Sequence, residues 1–118
     1  MDKQRKKELL EDYKNIKTYM GITQIKNRVN GKIYVAGYPN LKNKWESIKG
    51  QLNLGMHVCT ALQQDWKQQE QESFEYTVLE QKATDKIDDV RWELKQMEKQ
   101  WLQKLQPYGE NGYNRKKD

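Results

Sequence analysis

The feature that most constrains this chain is the segment 21–37, GITQIKNRVNGKIYVAG, in which two apolar alternations flank an Asn-Gly pair. Asn-Gly in this setting is the strongest short signal for a β-hairpin, because both central residues of a type I′ turn need a positive φ. A two-residue turn at Asn30-Gly31 would fix the register of the two strands. The pairs that this register predicts are Val29 with Lys32, Asn27 with Tyr34, and Thr23 with Tyr38.

The period of two in this hairpin divides its side chains between two faces of a sheet. One face is predicted to hold Thr23, Ile25, Asn27, Tyr34, Ala36 and Tyr38. The opposite face is predicted to hold Ile22, Gln24, Ile33, Val35 and Gly37. Because both sets contain apolar residues, we expect both faces of the sheet to be covered by other elements.

Amphipathic stripes in the rest of the chain predict the elements that cover the sheet. Apolar residues spaced three or four positions apart predict helices over 3–19, 41–53, 57–69 and 85–106. Alternation over 73–80 predicts a third strand. Pro39 should end the hairpin and Asn40 is expected to cap the next helix. The sequence therefore predicts an α/β or α+β fold, in which three strands have helices between and around them.

Length and charge limit the domain organisation of the chain and the kind of partner it can have. With 118 residues the chain is long enough for one domain. We divide it into an N-terminal helix (1–19), a main domain (20–114) and a basic tail (115–118). The formal charge of +5 favours an anionic partner such as nucleic acid, although a basic soluble protein without such a partner fits equally well.

Cysteine content and hydropathy exclude other classes of protein. Cys59 is the only cysteine, which excludes an internal disulfide and a cysteine-based metal cluster. No apolar run is long enough to span a membrane, and the N-terminal residues lack the apolar core of a signal peptide. We therefore expect a cytoplasmic protein that is not inserted in a membrane.

The segments GIT at 21–23 and YVAG at 34–37 resemble the paired motifs of the GIY-YIG nuclease family. The resemblance extends over nearly all of the chain after the first helix. The second motif has an extra residue or a shifted glycine after Tyr34-Val35, and three further positions depart from the family pattern. Thr23 stands where the family has tyrosine, Lys44 where it has arginine, and Ile48 where it often has histidine.

This resemblance implies a GIY-YIG-like fold, which is a small three-stranded antiparallel sheet flanked by helices, with an added N-terminal helix. It also implies an endonuclease that acts on DNA or RNA with Mg²⁺ or Mn²⁺. The segment EKQWL beginning at Glu98 matches the family pattern Glu-x-x-aromatic-aliphatic, which implies that Glu98 is a metal ligand. A single carboxylate suits Mg²⁺, since this ion keeps most of its water shell. The alternative is a surface glutamate at the shoulder of the apolar stripe, where a carboxylate needs a partner.

The resemblance also implies roles for other residues. Tyr34 would position or deprotonate water, Lys44 would neutralise the phosphate, and Asn114, in the segment GYN, would support the site. We hypothesise that Tyr38 supplies the hydroxyl lost at Thr23, because the predicted register places the two opposite each other. For His57, the only histidine, a structural role such as capping a helix is the favoured interpretation.

Three functions remain open from the sequence. The first is a metal-dependent endonuclease, and the second is a non-catalytic module that binds nucleic acid through its phosphates. The lysines suggested for phosphate binding are Lys26, Lys32, Lys42, Lys44 and Lys49. The third is an interaction or regulatory domain, in which the N-terminal helix or Trp92 contacts a second copy of the chain or another protein.

Overall fold

A three-stranded antiparallel sheet is the central layer of the part of the chain that the structure, a computed structural model, describes (residues 17–116). The central strand β1 (Tyr19–Asn27) pairs with β2 (Ile33–Tyr38) on one side and with β3 (Phe74–Ala83) on the other. The predicted sheet is therefore confirmed, with β2 and β3 as its two edge strands.

Within residues 17–116, three helices cover this sheet. Helices α1 (Lys44–Asn53) and α2 (Thr60–Gln68) lie between β2 and β3 in the chain, and α3 (Val90–Leu105) follows β3. Three-residue 3₁₀ turns occupy Gln71–Ser73, Thr84–Lys86 and Gly109–Asn111. No helix within residues 17–116 is both long enough and apolar enough to cross a lipid bilayer.

Apolar clusters lie on both faces of the sheet, as the alternation predicts. On the side of α1 and α2, the buried cluster consists of Ile25, Ile48, Leu52, Leu62, Trp66, Phe74 and Tyr113. On the side of α3, it consists of Met20, Ile22, Val35 and Met97. The two apolar faces of the hairpin are thus buried against different helices, which is why the chain needs helices on both sides.

The predicted hairpin register is wrong by two residues. Thr23 pairs with Ala36, not with Tyr38, and Tyr34 pairs with Ile25. The connection is a four-residue loop, 28–31, closed by the Asn27 N–H that donates to the Lys32 carbonyl at 2.9 Å. Because a shift of two residues leaves the alternation unchanged, the predicted division of side chains between the faces still holds.

The side chain of Asn27 explains the longer loop. It is fully buried, its Oδ1 accepts from the Val29 N–H at 2.9 Å, and its Nδ2 donates to the Tyr113 hydroxyl at 2.9 Å. Gly31 still takes the positive φ expected of it, 77°. The buried Asn27 amide, which needs partners in both the loop and the C-terminal segment, thus determines the length of the loop.

β3 is longer than predicted, and it is irregular. Ile22 pairs with Glu80 but Thr23 pairs with Val78, so Leu79 is an extra residue in a β-bulge. After the bulge, the Glu80 carboxylate accepts a hydrogen bond from Trp101 Nε1 of α3 at 2.8 Å. The bulge therefore ties this edge of the sheet to α3.

The helices predicted over 41–53, 57–69 and 85–106 exist, but each begins later than expected. The Asn40 side chain accepts from the Lys42 N–H at 3.0 Å within a loop, so it does not cap α1, which begins at Lys44. In front of α3, the residues 84–86 form a 3₁₀ turn, and the Asp89 carboxylate accepts from the Trp92 N–H as the true N-cap.

The predicted N-terminal helix over 3–19 falls almost entirely on residues 1–16, outside the described residues. Within the described part, Tyr19 is already the first residue of β1. At the other end, the segment around Gly112 runs parallel to β2, and the Tyr113 N–H donates to the Ile33 carbonyl at 2.9 Å. Part of the open edge of β2 is thus covered by the C-terminal segment.

Candidate active site

A cavity of about 410 Å³ lies along the edge strand β2. Its lining residues are Tyr34, Val35, Ala36, Gly37, Tyr38, Gln51, His57, Val58, Glu98 and Asn114. Side chains from the two layers on either side of the sheet meet at this edge. Four residues that the sequence singled out as candidate site residues therefore line one cavity: Tyr34, Tyr38, Glu98 and Asn114.

Glu98 reaches the cavity from α3 because β2 carries a glycine beside it. A Cβ atom on Gly37 would lie 3.1 Å from Glu98 Oε2 and 3.0 Å from Leu94 Cδ1. Such contacts are tighter than ordinary van der Waals contact, so the absence of a side chain at Gly37 makes room for the carboxylate. Among the described residues, Glu98 forms no ion pair and accepts no hydrogen bond.

The two tyrosines of β2 keep their protons at neutral pH. Burial, together with the charges of Cys59 and Glu98, raises the pKa of Tyr34 from 10 to about 12. The pKa of Tyr38 is also raised well above its ordinary value, first by burial and then by Tyr34, Tyr76 and Glu98. Both side chains are therefore hydrogen-bond donors at neutral pH, which favours positioning over deprotonation as the role of Tyr34.

His57 is the cavity residue whose position the sequence did not predict. Its Nδ1 accepts from the Cys59 N–H at 3.0 Å, so the neutral imidazole carries its proton on Nε2. Burial lowers the pKa of His57, which keeps the ring neutral. The ring contacts Tyr34 edge to face, with centroids 5.4 Å apart. The Cys59 N–H precedes α2, which begins at Thr60, so this contact does not cap the helix as the sequence suggested. It does orient the ring in the cavity.

His57 is missed by sequence reasoning because a lone histidine before a helix gives no sign of what it faces. Gln51 of α1 also lines the cavity, and its spacing in the sequence gives no signal for this role. Only the packing of α1 and of the loop before α2 against the edge of the sheet brings these two polar side chains next to Tyr34 and Glu98.

Asn114 acts through the backbone of β2. Its Oδ1 accepts from the Val35 N–H at 2.9 Å, and its Nδ2 donates to the Val35 carbonyl at 2.7 Å. Both polar groups of the amide are thus engaged by the strand that carries Tyr34 and Tyr38. The geometry makes Asn114 a support for the cavity wall.

The remaining candidates lie outside the cavity lining. Thr23 is buried, and its hydroxyl donates to the Ala36 carbonyl at 3.2 Å, so the structure does not bring it to the site. Lys44 lies over Tyr38, with Nζ 4.6 Å from the centre of the tyrosine ring, and is not among the lining residues. Ile48 is buried in the core and completes the apolar stripe of α1, as its spacing predicts.

The lysines suggested for phosphate binding differ in their surroundings. Lys49 is paired with Glu46 at 2.9 Å, and Lys32 lies over the Tyr113 ring at 5.8 Å from its centre. Lys26 and Lys42 are exposed. None of these four lines the cavity.

The donor set at the cavity suits one kind of metal ion. No group of three or more His, Cys, Asp or Glu side chains that could hold a metal occurs within residues 17–116. Glu98 offers two carboxylate oxygens that no described protein group occupies. A hard cation that takes one carboxylate and fills its other positions with water and phosphate oxygens fits this arrangement, as Mg²⁺ does.

The sheet order, the flanking helices and the cavity on β2 define an α+β fold of the GIY-YIG-like type. Neither a scan against protein-family models nor a search of curated proteins gives a match. Among solved structures, the chain is similar to the catalytic domain of the homing endonuclease I-TevI, with 28% identity and a TM-score of 0.66 over 83% of this chain and 99% of that one.

A second solved structure, the catalytic domain of the intron endonuclease I-TevI with a glutamate replaced by alanine, gives 27% identity and a TM-score of 0.67. The similarity covers 84% of this chain and 93% of that one. The resemblance seen in the motifs at 21–23 and 34–37 is thus matched by the three-dimensional fold.

Proposed function

We propose that the chain is a divalent-metal-dependent endonuclease that hydrolyses phosphodiester bonds in nucleic acid. The observation that carries this proposal is the single cavity in which Tyr34, Tyr38, His57 and Glu98 meet. The similarity of the chain's fold to an endonuclease catalytic domain supports the same reaction class and a nucleic-acid substrate. Fold alone does not imply function, so the argument rests on the side chains of the cavity.

The charges in the cavity favour a cation between enzyme and substrate. Glu98 is the only carboxylate among the lining residues, and a phosphodiester that approached it directly would be repelled. We propose that Glu98 holds a divalent cation, which when bound would offset this repulsion and favour ionisation of water. No residue within 17–116 donates to the two oxygens of Glu98, which are available for that ion.

The other groups of the cavity would hold the phosphate through hydrogen bonds. The neutral phenols of Tyr34 and Tyr38 and the Nε2–H of His57 are three donors around one cavity. Hydrogen bonds from fixed donors to a phosphate oxygen strengthen as charge develops on it. We therefore assign the role of the second hydroxyl group in the site to the phenol of Tyr38 and not to Thr23.

Lys44 would act at a distance. Its ammonium group lies over the Tyr38 ring, 4.6 Å from the centroid, and does not line the cavity. From there it contributes positive potential and fixes the ring, but it cannot clamp a phosphate as an arginine fork does.

Cleavage of supercoiled plasmid and branched DNA with Mg²⁺ or Mn²⁺ tests the proposal. We expect Glu98→Gln to lower the cleavage rate at least 100-fold, because one metal ligand loses its charge. The matched control is Glu72→Gln, an exposed carboxylate on the 3₁₀ turn before β3, which should cut like the parent. Equal cleavage by Glu98→Gln and the parent would contradict the assigned role of Glu98.

The second candidate function is nucleic-acid binding without cleavage. It is favoured by the position of Thr23, whose hydroxyl is bound to the backbone, and by Lys44, which stands outside the cavity. In that case neither the parent nor Glu98→Gln would cut DNA or RNA under conditions where an intact GIY-YIG endonuclease does. Binding of the same DNA would persist and would weaken steeply as salt is raised.

A further inference from the structure

A second groove, of about 520 Å³, lies on the outer side of Glu98. It is formed by one face of α3 and by residues that follow the helix. Its lining residues are Lys95, Glu98, Lys99, Leu102, Gln103, Gln106, Tyr108 and Lys116. Glu98 lines both this groove and the candidate active-site cavity, so the two adjoin at this residue.

The groove is basic at its rim. Three lysines and one carboxylate line it, and within residues 17–116 none of Lys95, Lys99 and Lys116 forms an ion pair. Lys95 and Lys99 are one helical turn apart, which places their side chains about 5–6 Å from each other at Cβ on the same face of α3. Such a row of unpaired cations suits successive negative charges.

The floor of the groove is different in character from its rim. Leu102 and the ring of Tyr108 are both partly buried, and they provide apolar surface between the lysines. An aromatic ring of this kind is a surface on which a nucleobase can stack. Gln103 and Gln106 are polar but uncharged, so they do not oppose an anion.

Another cavity on the same helix lacks this excess of lysines over carboxylates. The cavity beside Trp92 is lined by Lys82 and Lys86 together with three carboxylates, Asp88, Asp89 and Glu93. Lys82 is held by Glu93 at 2.6 Å. Of these two cavities on α3, the one lined by Glu98 is therefore the one with an excess of positive charge.

We propose that this groove is a nucleotide-binding subsite that holds one nucleic-acid strand beside the bond to be cleaved. The phosphates lie against Lys95, Lys99 and Lys116, and a base stacks on Tyr108 above Leu102. The subsite deepens the proposed function and rests on it for the position of the cleaved bond. Binding of the strand itself depends on the groove alone.

The test is the binding of a fluorescent 12-nucleotide single-stranded DNA, measured by anisotropy over a range of salt concentrations. The variant is Lys95→Gln/Lys99→Gln/Lys116→Gln. Loss of three phosphate contacts should lower affinity at least tenfold and reduce the slope of log K against log salt by about 2, since each contact on a single strand contributes about 0.7. The same RNA sequence shows whether the subsite prefers one sugar.

The matched control is Lys67→Gln/Lys86→Gln, two exposed lysines on α2 and on the 3₁₀ turn after β3. For this variant, the slope of log K against log salt should equal that of the parent to within the value of one phosphate contact, about 0.7. A triple variant with the affinity and slope of the parent would overturn the proposal, and so would failure of the parent to bind at low salt. Circular dichroism confirms that each variant is folded.

Two further results separate the subsite from the proposed cleavage. If the parent binds through the three lysines but cuts nothing, the subsite stands and the endonuclease proposal fails. If the parent cuts DNA and the triple variant cuts with an unchanged KM, the subsite fails and the endonuclease proposal stands.

The stacking part has its own test. Tyr108→Ala should weaken binding of the 12-mer about tenfold, while binding of an abasic strand of equal length should change little. Equal weakening for the two strands would contradict stacking on Tyr108 and would limit the groove to phosphate binding.

Discussion

Asn114 takes the place of a neighbouring strand for Val35. Its side-chain amide accepts from the Val35 N–H at 2.9 Å and donates to the Val35 carbonyl at 2.7 Å, the two bonds that a strand would provide. Val35 lies on the edge strand β2, directly after Tyr34. A residue 79 positions away in the chain thus covers an exposed sheet edge and fixes one wall of the candidate active site.

Replacing Asn114 by alanine should destabilise the protein and disturb this wall. Two hydrogen bonds to a partly buried backbone are lost, so we expect the free energy of unfolding to fall by about 2 kcal/mol. Urea denaturation measures this change. Asn111→Ala in the same segment removes an exposed side chain and should cost less than about 0.5 kcal/mol. Equal unfolding midpoints for the two variants would contradict the role assigned to Asn114.

Gly37→Ala should displace Glu98 while leaving the protein folded. The new methyl group would meet Glu98 Oε2 at 3.1 Å and the Ile22 and Leu94 methyl carbons at 3.0 Å, which costs about 1–3 kcal/mol of stability as overpacking does. If the proposed function holds, cleavage should fall at least tenfold at a temperature where the variant is fully folded. Unchanged cleavage would show that the position of the carboxylate is not critical.

The control for this substitution lies in α1. A Cβ at Gly50 would meet no atom within 4 Å, and alanine favours a helix over glycine by about 1 kcal/mol. Gly50→Ala should therefore raise the thermal midpoint and leave cleavage as it is. Opposite effects of the same chemical change at two glycines would separate crowding at Glu98 from a general effect of alanine.

The sequence predicts the layers of this fold well, because periodicity reports burial directly. The alternation in the hairpin and the stripes of α1 and α3 assign side chains to the correct faces. The same pattern places Tyr34 and Tyr38 together, even though the predicted register is wrong. An error of two residues in register is invisible to a pattern whose period is two.

Features that depend on distant partners could not be predicted from the sequence. The loop at 28–31 follows from the buried Asn27 amide, whose partner Tyr113 lies in the C-terminal segment. The bulge at Leu79 and the place of His57 in the cavity likewise depend on packing between elements. The predicted helix over 3–19 and the site roles remain predictions, the first because it lies outside the described residues.

His57 provides a pH-dependent prediction. Burial lowers the pKa of the folded-state imidazole below its ordinary 6.5, so protonation favours the unfolded chain. The contribution to stability is therefore present above pH 6.5 and is lost as the pH falls through the folded-state pKa. Urea denaturation between pH 5 and 8 should show this decline in the parent and less of it in His57→Asn. An unchanged decline in the variant would assign it to other groups.

The substitution His57→Asn also distinguishes the roles of the two ring nitrogen atoms of His57. Asparagine can still accept from the Cys59 N–H, as Nδ1 does at 3.0 Å, but it has no group in the place of Nε2. If Nε2–H holds the phosphate, cleavage should fall at least tenfold in His57→Asn while stability at pH 8 changes by less than about 1 kcal/mol. His57→Gln, which can place its amide nitrogen nearer to the position of Nε2, should recover part of the activity.

Tyr113 should make the protein sensitive to alkali. Burial and the hydrogen bond to Asp65, 2.6 Å long, raise the pKa of Tyr113 from 10 to about 12. Because the folded state holds this proton more tightly, its contribution to stability is complete below pH 10 and is lost as the pH rises through 12. Tyr113→Phe should lower stability at pH 8 by about 1–3 kcal/mol, since the buried Asn27 amide loses a partner, and should flatten the alkaline decline. Unfolding followed in urea at pH 8 to 11 measures both effects. A variant that declines as steeply as the parent would show that Tyr34, Tyr38 or Tyr76 carries the alkaline sensitivity instead.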